Sequence, residues 1–123
     1  MKNIEQLILV SILEHNFIPS DSRILQVELN PNFFTDENHK VFVKAINRLK
    51  QLNEPIDSDT MRMKFIDANA WDKSIKIHIS MEQSLLEIMS HNPAGSYDLF
   101  MKYYAILEQN YNEGKRLEEL RYI

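Results

Sequence analysis

The sequence predicts an all-α fold, a small helical bundle followed by a long last helix. Four or five stretches of the chain place apolar residues three and four positions apart, which is the helical period. The 123 residues include only two glycines and four prolines, too few for the tight turns of a sheet protein. A hydrophobic fraction of 44% and a charged fraction of 26% indicate one globular domain.

The first stretch, from about Asn3 to Asn16, predicts a helix that is apolar around much of its circumference. Its main face consists of Ile4, Leu7, Ile8, Ile12 and Leu13. Leu9 and Val10 lie on the other side, so we expect this helix in the centre of the bundle or beneath a second chain. The apolar run is too short to cross a bilayer and lacks a small-residue cleavage site, which argues against a membrane span or a signal peptide.

The middle of the chain predicts three further helices. A short amphipathic helix is expected within Ser22–Leu29. The clearest helical period follows it, with Thr35 or Asp36 expected as the N-cap and Asn53-Glu54-Pro55 ending the helix. Ile56-Asp57-Ser58-Asp59 is then expected to cap another short helix.

The segment Asp67–Ser80 lacks a clear helical period. Ile75, Ile77 and Ile79 alternate as in a strand, but a single strand has no evident partner in this chain. We therefore expect a loop or an irregular helix here, followed by a regular helix over Glu82–Met89.

A long last helix is expected after Ser96, which can cap it. The single domain then consists of a bundle over residues 1–95 and a long helix or hairpin start over residues 96–123. Gly114 is expected to mark a turn into a last short helix, or a weak point. The long helix carries two adjacent apolar stripes, which are Leu99, Tyr103 and Ile106 on one line and Phe100, Tyr104, Leu107 and Tyr111 on the next.

This wide apolar band has two interpretations. Aromatic residues at helical spacing are typical of a core, so the band can simply cover the bundle. Alternatively, the band serves self-association, because tyrosine is favoured as an anchor in protein interfaces. In that case the protein is a homodimer or a higher oligomer, and the predicted contact residues are Phe100, Tyr104, Leu107 and Tyr111.

The sequence predicts no catalytic, cofactor-binding or metal-binding residues. It contains no cysteine, no glycine-rich phosphate loop, no dinucleotide fingerprint and no GxSxG motif. Asp57 and Asp59 are interpreted as residues that satisfy free N–H groups at a helix start, rather than as paired catalytic carboxylates. The four histidines show no metal-ligand spacing and are interpreted as surface or helix-end residues, namely His15, His39, His78 and His91.

The charge balance favours protein partners over nucleic acid. A net charge of −4 and a pI near 5.5 argue against direct nucleic-acid binding, because domains that dock on phosphates carry a basic surplus. Lys40, Lys44 and Arg48 nevertheless form a basic stripe opposite the apolar face of their helix. The stripe is a solvated helix face, a docking strip for an acidic partner, or a weak nucleic-acid contact. The lack of cysteine is compatible with the reducing cytoplasm, where we expect the protein.

A set of motifs over roughly residues 4 to 110 follows one family pattern. The motifs are Glu5 ahead of an apolar helix, Phe33-Phe34 before a helix with His39, Phe42, Ile46 and Leu49, then Pro55-Ile56-Asp57 and Thr60, and finally Asn92-Pro93 leading through Ser96 to Tyr103-Tyr104 and Ile106. Together they resemble the N-terminal domain of the bacterial replicative DNA helicase, the DnaB family.

The resemblance implies a helical bundle followed by a helical hairpin, through which such domains pair and assemble into a collar on the helicase. It also implies that DnaG-type primase or a helicase loader docks on this collar during DNA replication. The ATPase of the family belongs to a separate RecA-like domain, so no cofactor is expected here. Two interpretations stay open: a non-catalytic N-terminal domain of a replicative helicase, or a stand-alone helical adaptor.

Overall fold

The computed structural model describes residues 2–14, 23–63 and 75–121, with side chains described from 81 to 120 in the last range. These residues form six α-helices and one 3-10 turn, Pro31–Phe33. The helices are α1 Lys2–Leu13, α2 Arg23–Gln26, α3 Glu37–Gln51, α4 Ser58–Met61, α5 Ile75–Met89 and α6 Tyr97–Arg121. No strand occurs within the described ranges, and the prediction of an all-α fold is confirmed.

Helix α1 lies at the centre of the bundle, as its apolar circumference predicts. It packs against α3, α5 and α6, and every residue from Ile8 to Leu13 is buried. One polar residue in this run is Ser11, whose hydroxyl donates to Leu7 O at 2.7 Å and accepts from Ala94 N at 2.8 Å. The second bond joins the end of α1 to the segment that precedes α6.

Helix α3 begins and ends where its sequence signals place it. Asp36 is the N-cap, and its carboxylate accepts hydrogen bonds from the backbone N–H groups of Asn38 and His39. At the other end Asn53 adopts a left-handed φ of 55°, and Glu54 N donates to Leu49 O at 3.0 Å. This is the Schellman arrangement, which satisfies carbonyls at a helix C-terminus.

Two shorter predictions have different outcomes. Asp57 is the N-cap of α4, and its carboxylate accepts from Thr60 N at 2.7 Å, so its interpretation as a capping residue is confirmed. The prediction of a loop or irregular helix over 67–80 is wrong for residues 75–80, which form the first turns of α5; residues 67–74 lie outside the described ranges. Extending a helix fixes one residue per hydrogen bond, so α5 can propagate through an alternating sequence.

Helix α6 is continuous through Gly114, so the expected turn into a last short helix is wrong, while the alternative, a weak point in the helix, stays a prediction. Glycine costs a helix interior only about 1 kcal/mol relative to alanine, and the neighbouring residues are good helix formers. The 25 residues of α6 extend over about 37 Å at 1.5 Å per residue. Its last part, Asn112–Leu120, is exposed at every position; we call this part the overhang.

Candidate protein-interaction surface

Helix α6 presents one face to the bundle and a second, adjacent face that is largely exposed. The inward face consists of Phe100, Tyr104 and Leu107, which are buried, and Tyr111, which is half-buried. The second face follows an unbroken spacing of four and three residues. We call this face the outer stripe, and its members are Leu99, Tyr103, Ile106, Asn110, Glu113, Leu117 and Leu120.

The outer stripe is open to solvent along most of its length. Leu99 is 37% exposed, Leu117 54% and Leu120 55%. Tyr103 and Ile106 are half-buried. Alternating intervals of four and three are the spacing of a coiled-coil seam, in which apolar side chains of one helix fit between those of another.

An aromatic cluster fixes the inward face of α6 to the 3-10 turn. The ring of Phe33 lies 5.7 Å from the ring of Tyr104 and 5.2 Å from that of Tyr111, both tilted. Phe100 and Tyr104 are nearly parallel at 6.4 Å. Such ring pairs add about 0.5–1.5 kcal/mol each beyond the area they bury, so the direction in which α6 leaves the bundle is well determined.

The hydroxyl of Tyr104 adds a polar anchor to this cluster. It accepts a hydrogen bond from Asn30 N at 2.9 Å and donates to Glu28 O at 3.4 Å. Burial raises the pKa of Tyr104, the Asn30 bond opposes this, and the nearby carboxylates of Glu108 and Glu28 raise the pKa further. The hydroxyl therefore stays protonated and serves as a structural anchor.

The residues predicted for self-association thus face the protomer's own bundle. Phe100, Tyr104 and Leu107 contribute to its core, and Tyr111 rests on Phe33. The neighbouring outer stripe has the exposed apolar surface that pairing requires. The helical period predicted two adjacent lines of apolar residues on α6 but did not indicate which line packs into the core.

The basic stripe lies on the exposed side of α3, as predicted. Lys44 and Arg48 are exposed and Lys40 is half-buried. Lys40 Nζ pairs with Glu37 at 3.3 Å, and Arg48 donates to Gln51 at 3.4 Å. Within the described ranges no carboxylate pairs with Lys44 or Arg48.

Two exposed apolar residues of the same helix region accompany these cations. Val41 is 47% exposed and Leu52 is 48% exposed. At 100° per residue both lie within about 40° of Arg48 around the helix axis. The α3 surface therefore combines positive charge with apolar contact area, a combination that sequence analysis had not brought together.

A buried polar cluster joins α1 to the start of α3, and sequence analysis missed its role. Glu5 Oε1 accepts hydrogen bonds from Thr35 N at 3.1 Å, Asp36 N at 3.2 Å and His39 Nδ1 at 3.0 Å. Its Oε2 accepts from the Thr35 hydroxyl at 2.6 Å. His39 is at a helix end, as expected, but it is buried rather than on the surface.

The Glu5 carboxylate is kept ionised by these donors. Burial alone raises its pKa, but the hydrogen bonds from His39, Thr35 and Asp36 together outweigh burial and hold the pKa below the ordinary value of 4.5. Glu5 is 0% exposed and His39 1%, so a substrate has no access to this pair. We therefore interpret the cluster as a structural clasp; its signal in the sequence was an acidic residue inside an apolar helix.

Lysine and asparagine side chains on α3 hold the loop that follows α2. Lys50 Nζ donates to Val27 O at 2.7 Å, and Asn47 Nδ2 donates to Leu29 O at 2.9 Å. Burial lowers the pKa of Lys50, while the negative charge of Glu28 opposes this shift. These bonds position the loop and the 3-10 turn against which α6 packs.

The remaining candidate residues do not assemble into a site for chemistry. His15 and the side chain of His78 lie outside the description, and His91 is a half-buried residue just after α5. In the part of the chain that is described, no three His, Cys, Asp or Glu side chains are grouped as a metal site would need. Nor does any described helix combine the length and apolar character of a membrane span.

The comparisons with known proteins identify the family. The family model of the DnaB-like helicase N-terminal domain matches residues 1–109 of the 123. Neither the curated proteins nor the solved structures include a significant match. The match spans every element up to the first half of α6, including the clasp, the basic stripe and the aromatic cluster except for Tyr111. This chain belongs to the family of DnaB-like helicase N-terminal domains.

Proposed function

We propose that this chain is the non-catalytic N-terminal collar domain of a replicative DNA helicase, and that it self-associates through the outer stripe of α6. The observation that carries the proposal is the seam of apolar residues that one copy leaves exposed, above all Leu117 and Leu120 on the overhang. Family membership supports the helicase context. The sequence itself contains no P-loop motif, in agreement with a domain that leaves ATP hydrolysis to another part of the helicase.

The physical case for pairing rests on what the overhang does in a single copy. Leu117 and Leu120 are each more than half exposed on the part of α6 that leaves the bundle. The fold of one copy therefore buries little of their apolar surface. Covering apolar surface stabilises an assembly by about 25 cal/mol per Å². An ordinary specific interface buries about 800 Å² on each partner, and a stripe that extends from Leu99 to Leu120 is long enough, about 32 Å, to contribute much of it.

Charge introduced on the outer stripe tests self-association. We expect wild-type protein to sediment as a dimer or higher oligomer, and the double variant Leu117→Glu/Leu120→Glu to sediment as a monomer with unchanged helical content. Asn112→Glu adds a carboxylate to the opposite, polar side of the overhang and is the matched control. A wild-type protein that is monomeric at high micromolar concentration, or a double variant with the mass of wild type, contradicts the proposal.

A second part of the proposal concerns the α3 surface. We propose that the exposed cations Lys44 and Arg48, with Lys40 at the edge, dock an acidic surface of a primase or helicase loader. The support is the presence of two cations without a carboxylate partner in the described ranges, on a chain whose net charge is −4. Charges of this kind mainly accelerate and orient association.

Charge reversal tests this docking surface. We expect Lys44→Glu/Arg48→Glu to weaken binding of the DnaG-type primase or the loader of the same organism at least tenfold in fluorescence anisotropy. Lys102→Glu on α6 is the control for a charge reversal elsewhere on the chain. Equal affinities of wild type and variant for both proteins contradict the docking proposal. If a DNA oligonucleotide instead binds with a steep salt dependence that the variant loses, the stripe is a nucleic-acid contact.

A further inference from the structure

We propose that Lys50 is a site of acylation by small acyl phosphates, with the acyl group held in a cleft beside its side chain. The cleft lies between the loop after α2 and the last turns of α3. Lys50 is about 160° around the helix axis from Arg48, so the site is separate from the cations proposed for docking. It is also separate from the outer stripe of α6, none of whose members lines the cleft.

The cleft has the size that a small acyl donor needs. Its volume is about 270 Å³, which is below the roughly 300–1,000 Å³ typical of sites for drug-sized ligands. The side-chain amides in its wall carry N–H groups that can bind an acyl carbonyl oxygen. The lining residues are Gln26, Val27, Glu28, Asn47, Lys50 and Gln51. The donor that fits is therefore an acyl phosphate rather than a large coenzyme thioester.

The side chain of Lys50 is held in a defined position at the wall of this cleft. Its Nζ donates a hydrogen bond to Val27 O at 2.7 Å, and the residue is half-buried. This bond does not use the lone pair of the neutral amine, because Nζ is the donor. A positioned amine whose lone pair is available is the arrangement that nucleophilic attack on a carbonyl carbon needs.

Partial burial favours the neutral, nucleophilic form of this amine. Burial lowers the pKa of Lys50, and the negative charge of Glu28 opposes the shift without cancelling it. The ammonium form has no lone pair to donate, so a lowered pKa increases the reactive fraction near neutral pH. Lys115 on the overhang is the opposite case, because its hydrogen bond with Tyr111 raises its pKa.

The acylation step needs no other reactant than the acyl phosphate. The Lys50 ammonium first releases a proton to water. The lone pair of Nζ then attacks the carbonyl carbon, the new C–N bond forms, and the bond from that carbon to the bridging phosphate oxygen breaks. Inorganic phosphate leaves with the electron pair of that bond, and the second amine proton passes to water. Lys50 is left as a neutral secondary amide.

Acylation of Lys50 changes how the loop after α2 is held. The remaining N–H can still donate to Val27 O, but the positive charge is lost, and a hydrogen bond from a charged donor is about twice as strong as a neutral one. The same loop provides Glu28 O and Asn30 N, which both bind the Tyr104 hydroxyl. Acylation therefore loosens the polar anchor that holds α6 to the bundle.

Acetyl phosphate, followed by peptide mass spectrometry, tests the site on the wild-type chain. Near neutral pH we expect Lys50 to be acetylated at least about threefold faster than Lys44 or Lys115, although both of these controls are more exposed. Accessibility alone would give the opposite order. In urea the three rates should become equal, because the activation depends on the fold. Glu28→Gln should raise the rate at Lys50 and leave the rate at Lys115 unchanged.

Amide hydrogen exchange tests the effect on the anchor. Acetylated protein and the neutral variant Lys50→Gln should exchange the Asn30 N–H at least about threefold faster than wild type. Lys50→Arg keeps a charged donor and should exchange it at the wild-type rate. Acetylation of Lys50 that is no faster than that of the two controls, or an advantage that persists in urea, overturns the site. Rapid acetylation with unchanged Asn30 exchange overturns the effect on α6 and leaves the site intact.

Discussion

Replacing Glu5 by leucine tests whether the buried clasp holds α1 and α3 together. Leucine has a similar size but removes every acceptor that the carboxylate offers. The donors that lose their acceptor are the backbone N–H groups of Thr35 and Asp36, the Thr35 hydroxyl and the ring N–H of His39. The substitution therefore isolates the hydrogen bonds of the clasp from the packing around it.

The expected loss follows from the burial of each donor. His39 is 1% exposed, so its ring N–H cannot reach water, and an unsatisfied buried donor costs about 1–3 kcal/mol. Thr35 is exposed and Asp36 half-buried, so their backbone N–H groups can be partly rehydrated and cost about 0.5 kcal/mol each. We expect Glu5→Leu to lower the free energy of unfolding by about 3 kcal/mol, a large part of the 5–15 kcal/mol typical of a domain.

Urea denaturation followed by circular dichroism measures this change. Glu5→Gln keeps one carbonyl acceptor and should lose only about 1 kcal/mol, and Glu37→Leu at an exposed position should stay within about 0.5 kcal/mol of wild type. The double variant Glu5→Leu/His39→Leu should lose less than the sum of the two single variants, because the donor and its acceptor are removed together. A Glu5→Leu protein as stable as wild type would refute the reasoning.

Three further predictions concern stability. Because the folded-state pKa of Glu5 lies below 4.5, the contribution of its ionised carboxylate to the free energy of unfolding is complete above pH 4.5 and is lost as the pH falls through the folded pKa. In acid titration the free energy of unfolding should therefore fall more steeply with decreasing pH in wild type than in Glu5→Gln. Identical slopes in the two proteins would contradict this prediction. Gly114→Ala should stabilise the helix of the overhang by about 1 kcal/mol, since nothing lies within 4 Å of an added Cβ. The gain should appear as a higher melting temperature or a stronger helical circular dichroism signal, and if both are unchanged, the result counts against a continuous α6. Tyr104→Phe leaves Asn30 N–H without its acceptor and should cost about 1–2 kcal/mol in urea melts, whereas an unaltered midpoint would show that water replaces the hydroxyl.

Local signals in the sequence were sufficient for most of the helix boundaries. Asp36, Asp57 and Ser96 cap the helices that they were expected to cap, because a side-chain oxygen one residue ahead of a helix acts on N–H groups two or three residues away. At Gly114 the same local logic left a turn and a weak point open, and the turn did not form. A single glycine lowers helix propensity but cannot end a helix whose neighbours all favour it.

The clasp and the roles of the two stripes could not be predicted from local signals. Glu5 and His39 are 34 positions apart, and only the packing of α1 on α3 brings them together. An isolated helix wheel makes Tyr103 and Tyr104 equally apolar. The 3-10 turn decides between them. Phe33 packs against the ring of Tyr104, and Asn30 N–H donates to the Tyr104 hydroxyl, so the side of α6 that carries Tyr104 faces the bundle.

The sequence by itself therefore determined the all-α class, the buried position of α1, the caps of the helices and the family resemblance, since these depend on residue type and on spacing within one element. Tertiary structure decided which face of α6 packs against the protomer's own bundle and which cations on α3 lack a carboxylate partner in the described chain. It also decided that a glutamate and a histidine form a buried pair. The physical reason is that burial depends on which elements meet, and that meeting is a property of the whole bundle rather than of any one helix.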